Sequence, residues 1–124
     1  MLDIKLHKKY EDIYELYLRF FSILMTMNNI HLTKSELNLI SFIAVHDNIS
    51  NIKTRKDYIT KYETTRHTLN NNISDLSKKG YLTKDADKKV RLIPSLRIGK
   101  DEALKMHITL QTNNYNEEDR KGSE

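Results

Sequence analysis

The chain has no cysteine and no tryptophan, one proline and three glycines among its 124 residues. Without cysteine there is no disulfide framework, no thiolate nucleophile and no cysteine-bound zinc. Gly80, Gly99 and Gly122 stand too far apart to build a phosphate-cradling loop, and there is no Gly-x-Ser-x-Gly elbow. His7, His31, His46, His67 and His107 lack a His-x3-His spacing and a companion carboxylate pair. The expectation is a non-enzymatic protein without metal or cofactor. No apolar run approaches the ~18 residues of a membrane span. The start, Met1 to Lys9, lacks the apolar stretch of a secretory signal. A single cytoplasmic domain with no membrane partner is expected.

What the chain does have is charge, unevenly spread. Charged residues make up 31% of it and the net charge is +4. Residues 53–100 hold 13 basic against 5 acidic side chains, a balance of +8, whereas residues 1–52 and 101–124 balance at −1 and −3. Basic charge gathered in one segment is the footprint of a polyanionic partner. The bland alternative is a solvated lysine-rich surface.

Apolar periodicity predicts a first long helix from about Lys8 to Asn28. Ile13, Leu16, Phe20, Ile23, Met27 and Ile30 keep the 3-4 spacing of a heptad seam, and Tyr10, Tyr14, Tyr17, Phe21 and Leu24 form a second stripe beside it. One stripe is enough to pack on the chain's own core. The other needs a cover, and a second copy is the economical one. Ile13, Leu16, Phe20, Ile23 and Met27 are thus the dimerisation candidates, in a homodimer or larger homo-oligomer. A helix buried centrally in a monomer is the alternative; two and a half heptads are too few for a free-standing coiled coil.

Thr33-Lys-Ser-Glu36 is a capping box, opening a helix with Leu37, Ile40 and Ala44 inward, joined by Phe42, Ile43 and Val45, and ending near His46. Thr54-Arg-Lys-Asp57 reads as a second such start, for a short helix with Tyr58, Ile59 and Tyr62 as its apolar residues. A further helix follows Thr65, its N-cap. Leu69, Ile73 and Leu76 fall at i, i+4 and i+7, and Gly80 marks its stop. Its opposite face carries Arg66, His67, Asn70, Asn71 and Ser74. The period then changes to two strands, Tyr81–Lys84 and Val90–Ile93, with Leu82, Val90 and Leu92 inward and a polar tip between. Pro94 ends the second strand. Asp101 to Met106 suits one or two helical turns, and from Gln111 onward the chain is polar and acidic. The fold class is mainly α with a small β-hairpin (α+β).

This order of elements resembles a winged helix-turn-helix domain preceded by a long N-terminal helix. In detail it is similar to the MarR-like group of bacterial transcriptional regulators. The matching residues are Leu32-Thr33 with Glu36, then Thr65-Arg-His-Thr-Leu69, Ile73, Leu76, Lys79-Gly80-Tyr-Leu82, and Asp87-Lys-Lys-Val-Arg-Leu92. They cover about half the chain. The division implied is an N-terminal packing helix over 1–31, the winged domain over 32–98 and a polar acidic tail over 99–124. The long dimer-forming C-terminal helices of that group have no counterpart here. The ending Ile93-Pro-Ser-Leu96 looks more like winged helices of plasmid and phage replication initiators.

The resemblance implies double-stranded DNA as partner, with the helix over about 65–79 in the major groove and the 81–94 hairpin on backbone or minor groove. Arg66, His67, Asn70 and Asn71 then lie nearest the base edges. Arg suits guanine O6 and N7; Asn suits adenine N6 and N7. Thr65 and Ser74 are short donors for phosphates, and Lys53, Arg55, Lys56, Lys88, Lys89 and Arg91 are further backbone contacts. Asp85 or Asp87 is placed to pair with Arg91. A dimeric transcriptional regulator is the leading expectation. The alternative is a structural or interaction module with the same fold, in a phage or mobile-element assembly or a replication-initiation complex. A small-molecule effector is a third idea: the group often binds one, and Tyr10, Tyr14, Tyr17 and Phe21 are candidates to line its pocket, though such clusters are more often core.

Overall fold

Each helix starts at a residue whose side chain substitutes for a missing backbone partner. A computed structural model describes residues 7–99 and 104–113. Helix α1, Ile13–Met27, is capped by Asp12, whose carboxylate accepts from the Tyr14 N–H at 2.9 Å. The helix therefore starts later than the apolar stripe suggests, and Lys8 to Tyr10 lie outside it. Helix α2, Lys34–His46, has the expected capping box: Thr33 Oγ1 accepts from the Glu36 N–H at 3.1 Å and Glu36 Oε1 from the Thr33 N–H at 3.0 Å. Helix α3 spans Ile52–Lys61 and is capped by Asn51, which accepts from the Lys53 N–H at 2.8 Å. The start expected at Thr54 is thus one turn too late. Both sites offer cap-forming side chains, and the burial of Ile49 just before Asn51 brings the earlier one into place.

Helix α4, Arg66–Lys78, starts at Thr65, which accepts from the Thr68 N–H at 3.1 Å. It ends in a Schellman turn: the Tyr81 N–H reaches Leu76 O at 3.0 Å and the Gly80 N–H reaches Ser77 O at 3.1 Å. Gly80 has φ +89°, a left-handed conformation open to glycine without strain. The chain then forms an antiparallel hairpin of β1, Leu82–Lys84, and β2, Val90–Leu92, with Leu82 opposite Leu92. Pro94 opens a 3-10 turn, Pro94–Leu96. The fold is mainly helical α+β. Leu104 to Met106 form no helical turn; the rest of that expected element, and most of the acidic tail, lie outside the described residues.

Helix α2 runs through the middle. Leu39 to Ile43 are all buried, a helix enclosed on nearly every side rather than one with a single apolar stripe. Leu39 is fully buried, whereas the expected Leu37 and Ala44 are only half-buried. From α1 the core takes Tyr17, Phe21 and Met25; α3 adds Tyr58, α4 adds Leu69 and Leu76, and the hairpin adds Leu82 and Leu92. Of the candidate effector-pocket residues, Tyr17 and Phe21 are core, and Tyr14 stacks on Phe42 with its hydroxyl 2.7 Å from His46 Nε2. The α1 seam splits. Leu16 and Phe20 are half-buried, while Ile13, Ile23 and Met27 remain 42%, 47% and 42% exposed. Among the described residues, no helix is long and apolar enough to cross a membrane.

Candidate nucleic-acid interface

Burying Leu69, Leu76 and half of Ile73 fixes which way α4 faces. Arg66, His67, Asn70, Asn71 and Ser74 are consequently exposed together on the outer side, in the N-terminal two-thirds of the helix. Asn72 differs from its two neighbours. Its amide donates to the Ser35 hydroxyl of α2, so it belongs to the packing between α2 and α4. Thr65 is exposed, but its hydroxyl is engaged by the Thr68 N–H as the helix cap.

Helix α3 lies beside this face and is joined to it by Arg55. The guanidinium donates from Nη1 to Ile49 O at 3.3 Å and from Nη2 to Asn70 Oδ1. Burial, and then the charge of Arg66, lower the pKa of Arg55, so two cations converge here. A cleft of about 240 Å³ opens at this point, lined by Ile52, Arg55, Lys56, Ile59 and Arg66. Three of the five lining residues are cationic and none is acidic. Ile59 is half-buried and Ile52 exposed, so the cleft sets apolar surface beside three cations. Lys53 is exposed one turn away. On α4, the Asn71 amide nitrogen lies 3.2 Å from His67 Nε2.

The hairpin divides its basic residues between two jobs. Arg91 donates from Nε to Asp47 Oδ2 at 2.9 Å and from Nη1 to Asp85 at 3.2 Å and Asp87 at 2.9 Å. Its side chain is only 16% exposed. Arg91 was expected to meet phosphate; three carboxylates surround it instead, and it fastens β2 to the end of α2. The expectation that Asp85 or Asp87 pairs with Arg91 is met by both, and Asp47 is an unforeseen third partner. The Arg91 hydrogen bond, against some burial, lowers the Asp47 pKa, while Asp87 is lowered first by the Lys89 backbone N–H and then by Arg91. Arg97 adds a second brace, to Asp85 at 2.9 Å and to Leu92 O at 2.8 Å. Two backbone-directed bonds complete the attachment: the Ile49 N–H to Val90 O at 3.1 Å, and the Val90 N–H to the Ser50 hydroxyl at 2.8 Å. Lys88 and Lys89 are exposed and form no ion pair among the described residues.

The structure thus brings Arg55, Arg66, His67, Asn70, Asn71 and Ser74 onto one continuous α3–α4 surface, and it leaves Lys88 and Lys89 at the hairpin tip. Ile52 and Ile59 were not among the expected site residues, whereas Lys56 was expected beside Lys53 and Arg55 and lines the cleft. The two isoleucines become lining residues only through the α3–α4 packing, which no local spacing announces. Among the described residues, no group of three or more His, Asp or Glu side chains is arranged to hold a metal ion. No protein-family model matches the sequence, and searches of curated proteins and of solved structures return no match.

Proposed function

We propose that this chain binds double-stranded DNA sequence-specifically, as a dimeric transcriptional regulator with a winged helix-turn-helix design. The observation that carries the reading is the α4 outer face. Five side chains able to hydrogen-bond base edges or phosphates are exposed on one side of a helix whose other side is locked into the core. The adjoining cleft contributes Arg55, Lys56 and Arg66 with no lining acid. On this reading α4 enters the major groove with Arg66, His67, Asn70 and Asn71 toward the bases. The hairpin is the wing: Lys88 and Lys89 contact phosphates, and Arg91 sets the wing's angle rather than touching DNA. The uncovered apolar positions Ile13, Ile23 and Met27 support pairing of two copies through α1. Two copies would place half-sites about one helical turn, roughly 34 Å, apart.

The same uncovered positions favour a second reading, an interaction module that works by self-association or by contacting other proteins in a phage or mobile-element assembly. Selection of bound duplexes from a random pool, alongside light scattering, separates the two. An enriched motif that is lost in an Arg66/Asn70/Asn71 triple alanine variant supports the regulator. A large assembly without any enriched sequence supports the module.

A further inference from the structure

Asn70 enters the proposed groove-facing surface with its carbonyl oxygen already engaged. Arg55 gives one N–H to Asn70 Oδ1 and another to Ile49 O, so the guanidinium is held from inside the fold and reaches outward to the amide. A guanidinium has five N–H donors and no acceptor, so only the oxygen of the Asn70 amide can face it. The amide's orientation follows from that chemistry. Oδ1 points to Arg55, and Nδ2 with its two hydrogens points away.

The choice of base follows. A free asparagine pairs with adenine by accepting from N6 and donating to N7. Here the accepting oxygen is shared with a cation, and an adenine amino group arriving at that edge would meet a positively charged donor. Oδ1 keeps a second lone pair, but with a cation bound to the first, the edge that Asn70 and Arg55 offer together is dominated by donors. Guanine presents two adjacent acceptors, O6 and N7, in the major groove; adenine presents one acceptor and one donor, and cytosine a donor. Arg66 and Lys56, lining the same cleft, add positive potential that further favours acceptor atoms. We infer that Arg55 is a specificity-determining positioning residue: it turns Asn70 from an adenine reader into one that favours guanine. The inference rests on the DNA-binding reading above and deepens it.

The test is selection from a random duplex pool with the wild type, Asn70→Ala, Arg55→Lys and Arg55→Met. The base pair whose preference disappears in Asn70→Ala is the one Asn70 governs. At that pair the wild type is expected to favour guanine over adenine by about tenfold. Arg55→Lys keeps the preference, because an ammonium also only donates. Arg55→Met frees the oxygen and moves the preference to adenine, with the rest of the motif unchanged. Adenine preferred by the wild type, a preference unmoved in Arg55→Met, or no position altered by Asn70→Ala would each overturn the inference while leaving DNA recognition standing. Failure of the wild type to enrich any sequence would overturn both. If circular dichroism shows Arg55→Met unfolded, the guanine-to-adenine ratio in the wild type and Arg55→Lys decides the matter.

Discussion

Lys79, just past the end of α4, places its ammonium 2.9 Å from the Glu36 carboxylate, whose residue is only 3% exposed. Glu36 also completes the capping box at the start of α2. One carboxylate therefore joins the first turn of the central helix to the last turn of the outward-facing one. It braces an α2–α4 packing that burial of Leu69 and Leu76 and the Asn72–Ser35 bond also hold.

That junction should be acid-sensitive. Burial pushes the Glu36 pKa up, but the Lys79 hydrogen bond and the bonds from Thr33 outweigh it and leave the pKa lowered from 4.5. A folded-state pKa below the unfolded one means that the unfolded chain binds more protons. Glu36 thus contributes stability that is complete above the unfolded pKa and is lost as pH falls through the lower folded value. Urea titrations between pH 3 and 7 should show a shallower acid fall in Glu36→Gln than in the wild type. Parallel curves would contradict this account of the pair.

Gly80→Ala should destabilise the protein by about 1 kcal/mol. An added Cβ meets nothing within 4 Å, so the cost is the positive φ alone and not a clash. Gly80→Asn should cost less, because asparagine tolerates the left-handed region. Urea midpoints for the two variants check the order; equal losses would point to an unseen packing role.

Thr33→Ala removes one half of the capping box and should cost about 1 kcal/mol, with an unchanged dependence on denaturant. A loss well under half of that in the urea midpoint analysis would show that the Glu36 half of the box is sufficient.

How far the sequence reveals these features depends on sequence separation. The Thr33–Glu36 box, the Thr65 cap, the Gly80 stop and the Leu69, Ile73, Leu76 stripe are legible because each is decided within one or two helical turns. Asn51 and Thr54 both carry local cap signals, and only the burial of Ile49 chooses between them. The Arg55–Asn70, Lys79–Glu36 and Arg91–Asp47 contacts join residues 15, 43 and 44 positions apart. No periodicity encodes such pairs; the sequence places Asp85 or Asp87 beside Arg91, but Asp47 joins them only when the hairpin is docked. The α1 seam lies between these cases: its two stripes are visible in the sequence, but packing on α2 decides which one is buried.

Arg91→Met should loosen the hairpin locally and leave the helical core intact. The arginine is replaced by a side chain that cannot hold Asp47, Asp85 and Asp87 together, and like charges are then left beside one another. Hydrogen exchange should quicken at Val90 and its strand neighbours while α2 amides stay protected. Uniform loss of protection would mean that Arg91 supports the whole fold.

On the proposed reading, Lys88→Ala tests the hairpin tip separately from α4. Binding to all duplexes should weaken alike, and the slope of log affinity against log salt should fall by about one unit. A change confined to one base pair would instead make Lys88 a base contact.

The central claim is that the α4 face reads DNA sequence, and titration of the best selected duplex tests it most directly, with wild type set against Arg66→Ala. The account predicts that Arg66→Ala costs about 1–3 kcal/mol on that duplex. It also predicts that the loss shrinks when the base pair facing Arg66 is changed. Equal affinity of the two proteins for selected and scrambled duplexes would contradict it.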